Sequence, residues 1–387
     1  MRRRGAILLV AWTAAFTWLG CNALFGIESA VFEPDGGGSA VDDGAPGGDA
    51  TTDASSADVL ADVIVHPCTN TLTDTFNCGS CGHDCLGGAC LAGQCQPVVI
   101  ATELGQPMAI ALDVTHVYWT NATTGDVRRA PITGGAAETL YDGPIGTDLG
   151  DGLVRTGTDV YFTIGDADGG VFRCAATGCG AGGPVPVVAP LVTPQYVGLA
   201  DGGVLLFSEG QFDGRVGRCT LPCASGPIFV AGPESFPKYV AASSDGVYWS
   251  SVIPGPGNLR ASLGGGAATT LIPTNAVQQI EVNGSEVIVA LRGSGVRALA
   301  RDGGPTRRIY EPLTQTERFA IDGTVIYFSD SPTNGRILRC PLVGCGDAGT
   351  TIASSQNRPY AVAVDKTNIY WTNFGDGTNG TIVRVAK

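Results

Sequence analysis

The sequence predicts an all-β fold, and three observations support this prediction: its glycine content, its hydrophobic content and a repeat of about 42 residues. Of the 387 residues, 57 are glycine and 23 are proline, and only 15% are charged. Each glycine inside a helix costs about 1 kcal/mol relative to alanine, which disfavours a helical protein. A hydrophobic content of 44% excludes a chain that is disordered throughout. The composition therefore favours short strands joined by many turns.

The repeat occupies residues 96–387, and each unit has an anchor, a short apolar and aromatic strand such as Val-Tyr-Trp-Thr at 117–120. The third residues of the seven anchors lie a mean of 42 residues apart: Trp119, Phe162, Phe207, Trp249, Val289, Phe328 and Trp371. A strand of small residues precedes each anchor, and a glycine-rich loop and a strand ending in arginine follow it. A fourth apolar strand closes most units. Four short strands in about 42 residues are typical of one blade of a β-propeller.

Two features of the repeat predict how the ring is built. Strand alternation places Tyr118 and Trp119 on opposite faces of one sheet, so each blade presents aromatic rings to both neighbours. The last unit ends at Lys387 after its third strand, whereas residues 97–101 precede the first unit and have the composition of a closing strand. We therefore predict a seven-bladed β-propeller with four-stranded antiparallel blades, in which residues 97–101 pair with residues 381–385. Small first-strand residues are expected at the central channel.

The N-terminal region predicts export. Residues 1–20 contain Arg2, Arg3 and Arg4 followed by an apolar run, as in a signal peptide. Residues 18–21 read Trp-Leu-Gly-Cys, which resembles the lipobox of bacterial lipoproteins and implies that Cys21 becomes a lipidated N-terminus. The alternative is a plain signal peptide with an incidental Cys21. Residues 21–66 hold nine acidic residues and no lysine or arginine, which predicts a disordered tether.

Twelve cysteines remain when Cys21 is set aside, an even number that suits a disulfide framework. Six lie in residues 67–95, where the sequence leaves the connectivity open: Cys68, Cys78, Cys81, Cys85, Cys90 and Cys95. The other six form three close pairs at the turn after a third strand: Cys174 with Cys179, Cys219 with Cys223, and Cys340 with Cys345. A zinc site at Cys78, Cys81 and His83 is the alternative for the first set.

Two family resemblances follow from these motifs. Residues 77–85 resemble the small cysteine-rich module that precedes repeat domains in many myxobacterial envelope proteins. The Tyr-Trp-Thr anchors resemble the YWTD propellers of the lipoprotein-receptor type and, more loosely, the NHL repeats. This second resemblance covers residues 97–387 and implies a propeller fold. The aspartate that follows the threonine in the YWTD family occurs only at Asp330.

The repeats offer few groups for catalysis, so no catalytic residue is predicted. His116 is the one histidine in the repeats, and neither a nucleophile elbow nor a phosphate loop lies at a strand-to-helix junction. Carboxylates in the loops after the anchors share one rim and are candidate ligands of a structural calcium ion: Asp166, Asp168, Glu209, Asp213, Asp330 and Asp376. The alternative is that they are turn residues that face solvent. No other cofactor is predicted.

The net charge of the chain limits the classes of partner that it is expected to bind. The chain carries −13, and residues 67–387 carry 27 acidic against 20 basic residues, which disfavours nucleic acid. We expect a monomeric lipoprotein, exported and anchored by lipid at the outer membrane or cell surface of a bacterial envelope. Its propeller is expected to bind a protein, peptide or glycan. Two alternatives remain open: a propeller hydrolase or lyase that uses rim carboxylates and a divalent cation, and a structural spacer in an envelope assembly.

Overall fold

A computed structural model describes residues 66–166, 169–251, 258–274, 276–311 and 315–387. These ranges belong to one compact unit, Ile64–Lys387. They contain no helix that is long and apolar enough to cross a membrane. The predicted signal peptide, Cys21 and the acidic segment up to residue 65 lie outside the described residues.

The described chain contains thirty strands, which are numbered in chain order. The first three are β1 (Cys90–Leu91), β2 (Gln94–Cys95) and β3 (Val98–Leu104). Blade 1 consists of β4–β7: Pro107–Leu112, His116–Asn121, Asp126–Pro131 and Glu138–Asp142. Blade 2 consists of β8–β11: Leu153–Thr156, Asp159–Ile164, Gly170–Ala175 and Val185–Val188. Blade 3 consists of β12–β15: Pro194–Ala200, Val204–Glu209, Gly214–Thr220 and Ile228–Glu234.

The remaining strands complete four more blades. Blade 4 consists of β16–β19: Pro237–Ser243, Gly246–Ser251, Asn258–Leu263 and Thr269–Pro273. Blade 5 consists of β20–β23: Val277–Asn283, Glu286–Leu291, Gly295–Ala300 and Arg307–Tyr310. Blade 6 consists of β24–β27: Thr316–Asp322, Val325–Asp330, Gly335–Pro341 and Thr350–Gln356. Blade 7 consists of β28–β30 and β3: Pro359–Val364, Asn368–Asn373, Gly380–Ala386 and Val98–Leu104.

These seven antiparallel sheets form the predicted seven-bladed propeller. The first strand of each blade lies beside the first strand of the next, and β28 lies beside β4, so the ring is closed around a central channel. We call the face where the first strands begin the upper face, and the face where they end the lower face. Because the strands are antiparallel, the loops after the second strands also lie on the upper face.

Strand β3 completes blade 7, which confirms the closure that the sequence predicted. Val98 is paired with Arg384, Val99 with Val383, and the pairing continues to Leu104 opposite Gly380. The strand is therefore longer than the predicted segment 97–101, and it begins one residue later, after Pro97.

The anchor aromatics of blade 1 pack on both sides of the blade, as predicted, whereas the anchor of blade 5 contains no aromatic residue. Tyr118 belongs to a buried cluster with Phe162 of blade 2, whereas Trp119 belongs to one with Ile382 of blade 7. Tyr118 and Trp119 are at most 1% exposed. An aromatic side chain of this kind buries on the order of 150–250 Å², so the anchors supply much of the apolar surface between blades.

All twelve cysteines of the described chain form disulfides, and this confirms the disulfide framework. The pairs in residues 67–95 are Cys68–Cys81, Cys78–Cys90 and Cys85–Cys95. The propeller pairs are those predicted: Cys174–Cys179, Cys219–Cys223 and Cys340–Cys345. Both cysteines of the alternative zinc site are therefore bonded to other sulfurs.

The cysteine-rich module packs against blade 7. Four of its cysteines, Cys78, Cys85, Cys90 and Cys95, share one buried cluster with Trp371 and Val385. Arg384 Nη2, on the third strand of blade 7, donates a hydrogen bond to the Leu86 carbonyl at 2.7 Å. The module and the propeller thus share part of one core.

Candidate functional site

The side chains around the upper end of the channel occupy two register positions in the first strands or, in blade 2, just before the first strand. In each blade the third anchor residue pairs with one first-strand residue, as Trp119 pairs with Ile110 and Phe328 with Phe319. We call the residue before this partner position −1 and the one before that position −2. The residues at position −1 are Ala109, Gly152, Tyr196, Tyr239, Gln279, Arg318 and Ala361. Those at position −2 are Met108, Asp151, Gln195, Lys238, Gln278, Glu317 and Tyr360.

The expectation of small residues at the channel is wrong for blades 3–6. Ala109 fits it, but Tyr196, Gln279 and Arg318 line a channel cavity of about 190 Å³. Seven first strands enclose more space than alanine-sized side chains fill, and unfilled space forfeits packing contacts. Long polar side chains fill this space in blades 3–6.

The residue after the third anchor residue carries a hydroxyl that forms hydrogen bonds with the backbone at both register positions. The backbone N–H of Arg318 donates to Ser329 Oγ at 3.1 Å within blade 6. Ser329 Oγ also donates to the Tyr360 carbonyl of blade 7 at 2.7 Å. Ser208 Oγ makes the equivalent bond to the Lys238 carbonyl of blade 4 at 2.6 Å. The anchor sequence therefore fixes the backbone from which the channel side chains project.

Asp151 lies at the centre of a buried network that joins four blades across the channel. Its Oδ2 accepts a hydrogen bond from the Tyr239 hydroxyl at 3.0 Å and forms an ion pair with Lys238, both of blade 4. Arg318 Nη2 of blade 6 lies 3.4 Å from the same oxygen, and the Tyr360 hydroxyl of blade 7 lies 3.4 Å from Oδ1. The side chains of Asp151 and Arg318 are 1% and 7% exposed. Removing one member of such a buried pair is strongly destabilising because the remaining charge loses its partner.

The network carries one net positive charge. Burial alone would raise the pKa of Asp151, but Arg318 and Lys238 outweigh it and lower that pKa. Burial raises the pKa of both Tyr239 and Tyr360, so these phenols are neutral. The Arg318 guanidinium also lies 4.3 Å from the ring centre of Tyr239 and 5.1 Å from that of Tyr360. Cation–π contact of this kind stabilises a desolvated arginine.

A second carboxyl, Glu281 of blade 5, lines an adjoining channel cavity of about 340 Å³ together with Tyr196 and Asp201. Burial raises the pKa of Glu281 to about 7. Unlike Asp151, it has no cation whose attraction offsets the burial. Its raised pKa would suit a proton donor or acceptor near neutral pH.

A recess of about 360 Å³ opens on the upper face above blades 5–7 and the adjoining edge of blade 1, and we call it the upper recess. It is lined by Met108, Arg292, Gln315, Glu317, Ser331, Arg358, Tyr360 and Phe374. Arg292 Nη2 lies 2.9 Å from both carboxylate oxygens of Glu317. Arg358 lies over the Phe374 ring, 4.8 Å from its centre. Tyr360 belongs both to the upper recess and to the Asp151 network, so the two are adjacent.

Two of the predicted calcium ligands are held by arginines of their own blades. Glu209 accepts hydrogen bonds from Arg215 Nε at 2.6 Å and Nη2 at 2.7 Å. Asp330 accepts one from Arg336 Nη2 at 2.6 Å. Because these carboxylates are 0% and 1% exposed, the alternative that they face solvent is wrong for both. They follow the anchor at the end of a buried strand, where an arginine on the neighbouring strand neutralises them.

The other predicted ligands in the described chain lie on exposed loops of the upper face. These are Asp166, Asp213 and Asp376. The Asp376 backbone N–H donates to Asn379 Oδ1 at 2.6 Å within its own turn. Asp168 lies outside the described residues, so a calcium site that uses it stays a prediction.

The described carboxylates do not converge as metal ligands would. In the ranges that the structure covers, one set of three His, Cys, Asp or Glu residues has ligand atoms within 4.8 Å of one another: Cys78, Cys85 and Cys95. All three sulfurs are in disulfides. Convergence of carboxylates from three units, which the enzymatic alternative requires, is therefore not found in this part of the chain.

The channel network and the upper recess were not predicted from the sequence. The available signal was the presence of two cationic residues, Lys238 and Arg318, in first strands, close before the partner of the third anchor residue. Superposing the seven units on their anchors would have shown that position −2 is polar in most blades. The partner of these cations, Asp151, belongs to another blade and is brought near only when the ring closes.

Comparison with known proteins supports the fold. No protein-family model matches the chain, and no curated protein matches it. The WD40 β-propeller domain of Doa1 has a TM-score of 0.59 and 11% identity, covering 74% of this chain and 96% of that chain. YCF48 bound to D1 peptide has a TM-score of 0.53 and 10% identity, covering 76% and 96%. The computationally designed Ika8 protein has a TM-score of 0.50 and 9% identity, covering 75% and 98%. Identities this low show a shared propeller fold alone.

Proposed function

We propose that this propeller is a protein- or peptide-binding module and that its binding surface is the centre of the upper face. The observation that carries the proposal is the upper recess, where arginine and aromatic side chains line an opening above a closed buried network. Arginine and aromatic residues are enriched at protein interfaces and supply much of their binding energy. YCF48, which has a similar propeller, is described as bound to D1 peptide, and we propose peptide binding here as well.

Exposed aromatic side chains elsewhere on the upper face support the same proposal. Phe212 is 59% exposed and Phe236 is 38% exposed, in loops at the tops of blades 3 and 4. The Phe236 backbone N–H donates to the Gln211 carbonyl at 2.9 Å, which holds these two loops together. An extended segment that leaves the upper recess could therefore bury a second set of apolar contacts on this face.

We further propose that the protein is exported and lipid-anchored at the bacterial envelope through Cys21, in the manner of cysteine-rich myxobacterial lipoproteins. The Trp-Leu-Gly-Cys sequence at 18–21 supports the lipid anchor, and the six disulfides support an oxidising compartment. The aromatic anchor strands of the repeat units support a divergent relationship to the YWTD propellers. Replacing Cys21 with serine should move the protein from the membrane to the soluble fraction. Wild-type protein that is already soluble would contradict the anchor.

Peptide selection tests the binding surface. Random dodecapeptides displayed on phage are selected against the oxidised full-length protein, and synthetic versions are then measured by fluorescence anisotropy. We expect Phe374→Ala, in the upper recess, to weaken binding at least about fivefold, as loss of an aromatic contact at an interface does. The matched control is Ile228→Ala, which removes a 61% exposed apolar side chain from the outer strand of blade 3. Equal losses in both variants would contradict binding at the upper face.

A further inference from the structure

On the basis of the proposed function, we infer that the upper recess recognises carboxylates, so that its ligand is an acidic peptide segment. The upper recess and the adjacent Asp151 network contain more cations than anions. The cations are Lys238, Arg292, Arg318 and Arg358, and the anions are Asp151 and Glu317. This local excess of two positive charges occurs in a body, residues 67–387, that carries 27 acidic and only 20 basic residues. A local field of this sign attracts anions and disfavours cationic ligands.

Two guanidinium groups at the upper recess have donors left for a ligand. Arg292 directs only Nη2 to Glu317 and Gln278, and its side chain remains 51% exposed. Arg358 donates Nη1 to the Gly375 carbonyl at 3.1 Å, and no carboxylate of the described chain lies within 4.0 Å of it. A guanidinium binds a carboxylate through two parallel N–H···O bonds, and this planar geometry is why arginine serves such sites.

Arg358 is held in place before any ligand arrives. Its backbone has a φ of +56°, in the left-handed region, and it directly precedes Pro359 at the start of a first strand. Its guanidinium packs over the Phe374 ring. A side chain that is fixed by a tight loop and a ring loses less conformational entropy on binding, which favours specific recognition.

The walls of the upper recess favour a peptide carboxylate over a dianion. Glu317 lines the upper recess, so a second negative charge on the ligand would lie near a like charge. Tyr360 and Phe374 offer apolar surface beside the two guanidinium groups. This combination suits a glutamate or aspartate side chain that has apolar neighbours in an extended segment.

The test uses the full-length oxidised protein and two fluorescein-labelled nonapeptides. The first alternates glutamate with phenylalanine between glycine-serine ends, and the second has glutamine at each glutamate position. We expect the glutamate peptide to bind at least about tenfold more tightly, and Arg358→Gln to weaken it at least about tenfold, as loss of a charge-assisted contact does. The glutamine peptide should be insensitive to Arg358→Gln. The matched control is Arg301→Gln, because Arg301 pairs with Asp245 on the lower face, and it should leave both affinities unchanged.

Other outcomes would overturn the inference. If the two peptides bind equally and Phe374→Ala weakens the binding of both, the upper recess binds peptides without recognising carboxylates. That result would contradict the inference but would still support the proposed function. If Arg301→Gln weakens the glutamate peptide as much as Arg358→Gln, binding is nonspecific charge attraction. If an oligogalacturonate binds with the same dependence on Arg358 and the glutamate peptide does not bind at about 1 mM, the ligand is an acidic glycan.

Discussion

Two carboxyl groups in one channel show how the neighbours of a residue decide its charge. Glu281 projects from a first strand and Asp151 from the loop just before one, both into space that protein surrounds. Burial raises the pKa of any carboxyl. Lys238 and Arg318 reverse that effect at Asp151, whose pKa is lowered. Glu281 has no such partner in the described chain, and its pKa is raised to about 7. The same residue class therefore stabilises the fold at one site and destabilises it at the other at alkaline pH.

Replacing Glu281 with glutamine is expected to stabilise the protein at about pH 8 and to have little effect at about pH 5. The folded-state pKa of Glu281, about 7, exceeds the usual 4.5. The contribution of its protonation to the free energy of unfolding is therefore complete below pH 4.5 and is lost as the pH rises through 7. One pKa unit corresponds to 1.36 kcal/mol, and water in the channel reduces the effect, so we expect a gain of about 1–3 kcal/mol. Urea unfolding at both pH values measures it. Glu138→Gln is the control, because Glu138 is 58% exposed, and a pH dependence unchanged by Glu281→Gln would contradict the prediction.

At the scale of one element, the residue that lies opposite an anchor aromatic on the third strand differs in size from blade to blade. Trp119 lies opposite Arg128 and Trp249 opposite Arg260. Phe207 of blade 3 lies opposite Gly217, and a Cβ at that glycine would be 2.3 Å from Phe207 Cζ. The Phe207 ring therefore occupies the space that a side chain takes in other blades, and glycine is required for close packing rather than for an unusual φ.

Gly217→Ala is therefore expected to destabilise the propeller by about 1–3 kcal/mol, because a buried ring must move to admit one methyl group. Thermal unfolding of the oxidised protein measures the loss. Gly182→Ala is the matched control, since a Cβ there meets no atom within 4 Å. A melting temperature for Gly217→Ala equal to that of the control would show that the Phe207 ring can shift freely.

At the scale of the whole molecule, the repeats in the sequence predicted the blades, but they did not predict the contacts that form between distant blades when the ring closes. The anchors and the turns recur at fixed spacing, so the seven blades could be predicted from them. The last unit lacks a fourth strand, so the role of β3 could be predicted as well. The contact between Asp151 and Arg318 joins residues of blades 2 and 6, and no local pattern encodes it. Glu209 and Asp330 appeared as loop carboxylates, since the sequence does not show that Arg215 and Arg336 lie beside them.

Closure of the ring should depend on β3 more than on the module before it. In the closed ring, β3 supplies Ile100, Ala101 and Leu104 to the cluster around Trp119, and it covers the edge of β30. Deleting residues 1–96 removes the module with all of its cysteines and exposes the part of the core around Trp371, so we expect a folded but less stable propeller.

Deleting residues 1–104 also removes β3 and leaves β30 as an unpaired edge strand, which is a template for aggregation. We expect this protein to be protease-sensitive and to elute as aggregates in size-exclusion chromatography, whereas the shorter deletion stays monomeric. The two truncations differ by eight residues, so any contrast between them belongs to the closing strand. If both melt at the same temperature and resist protease alike, the ring is held by the other six blade interfaces and β3 is dispensable.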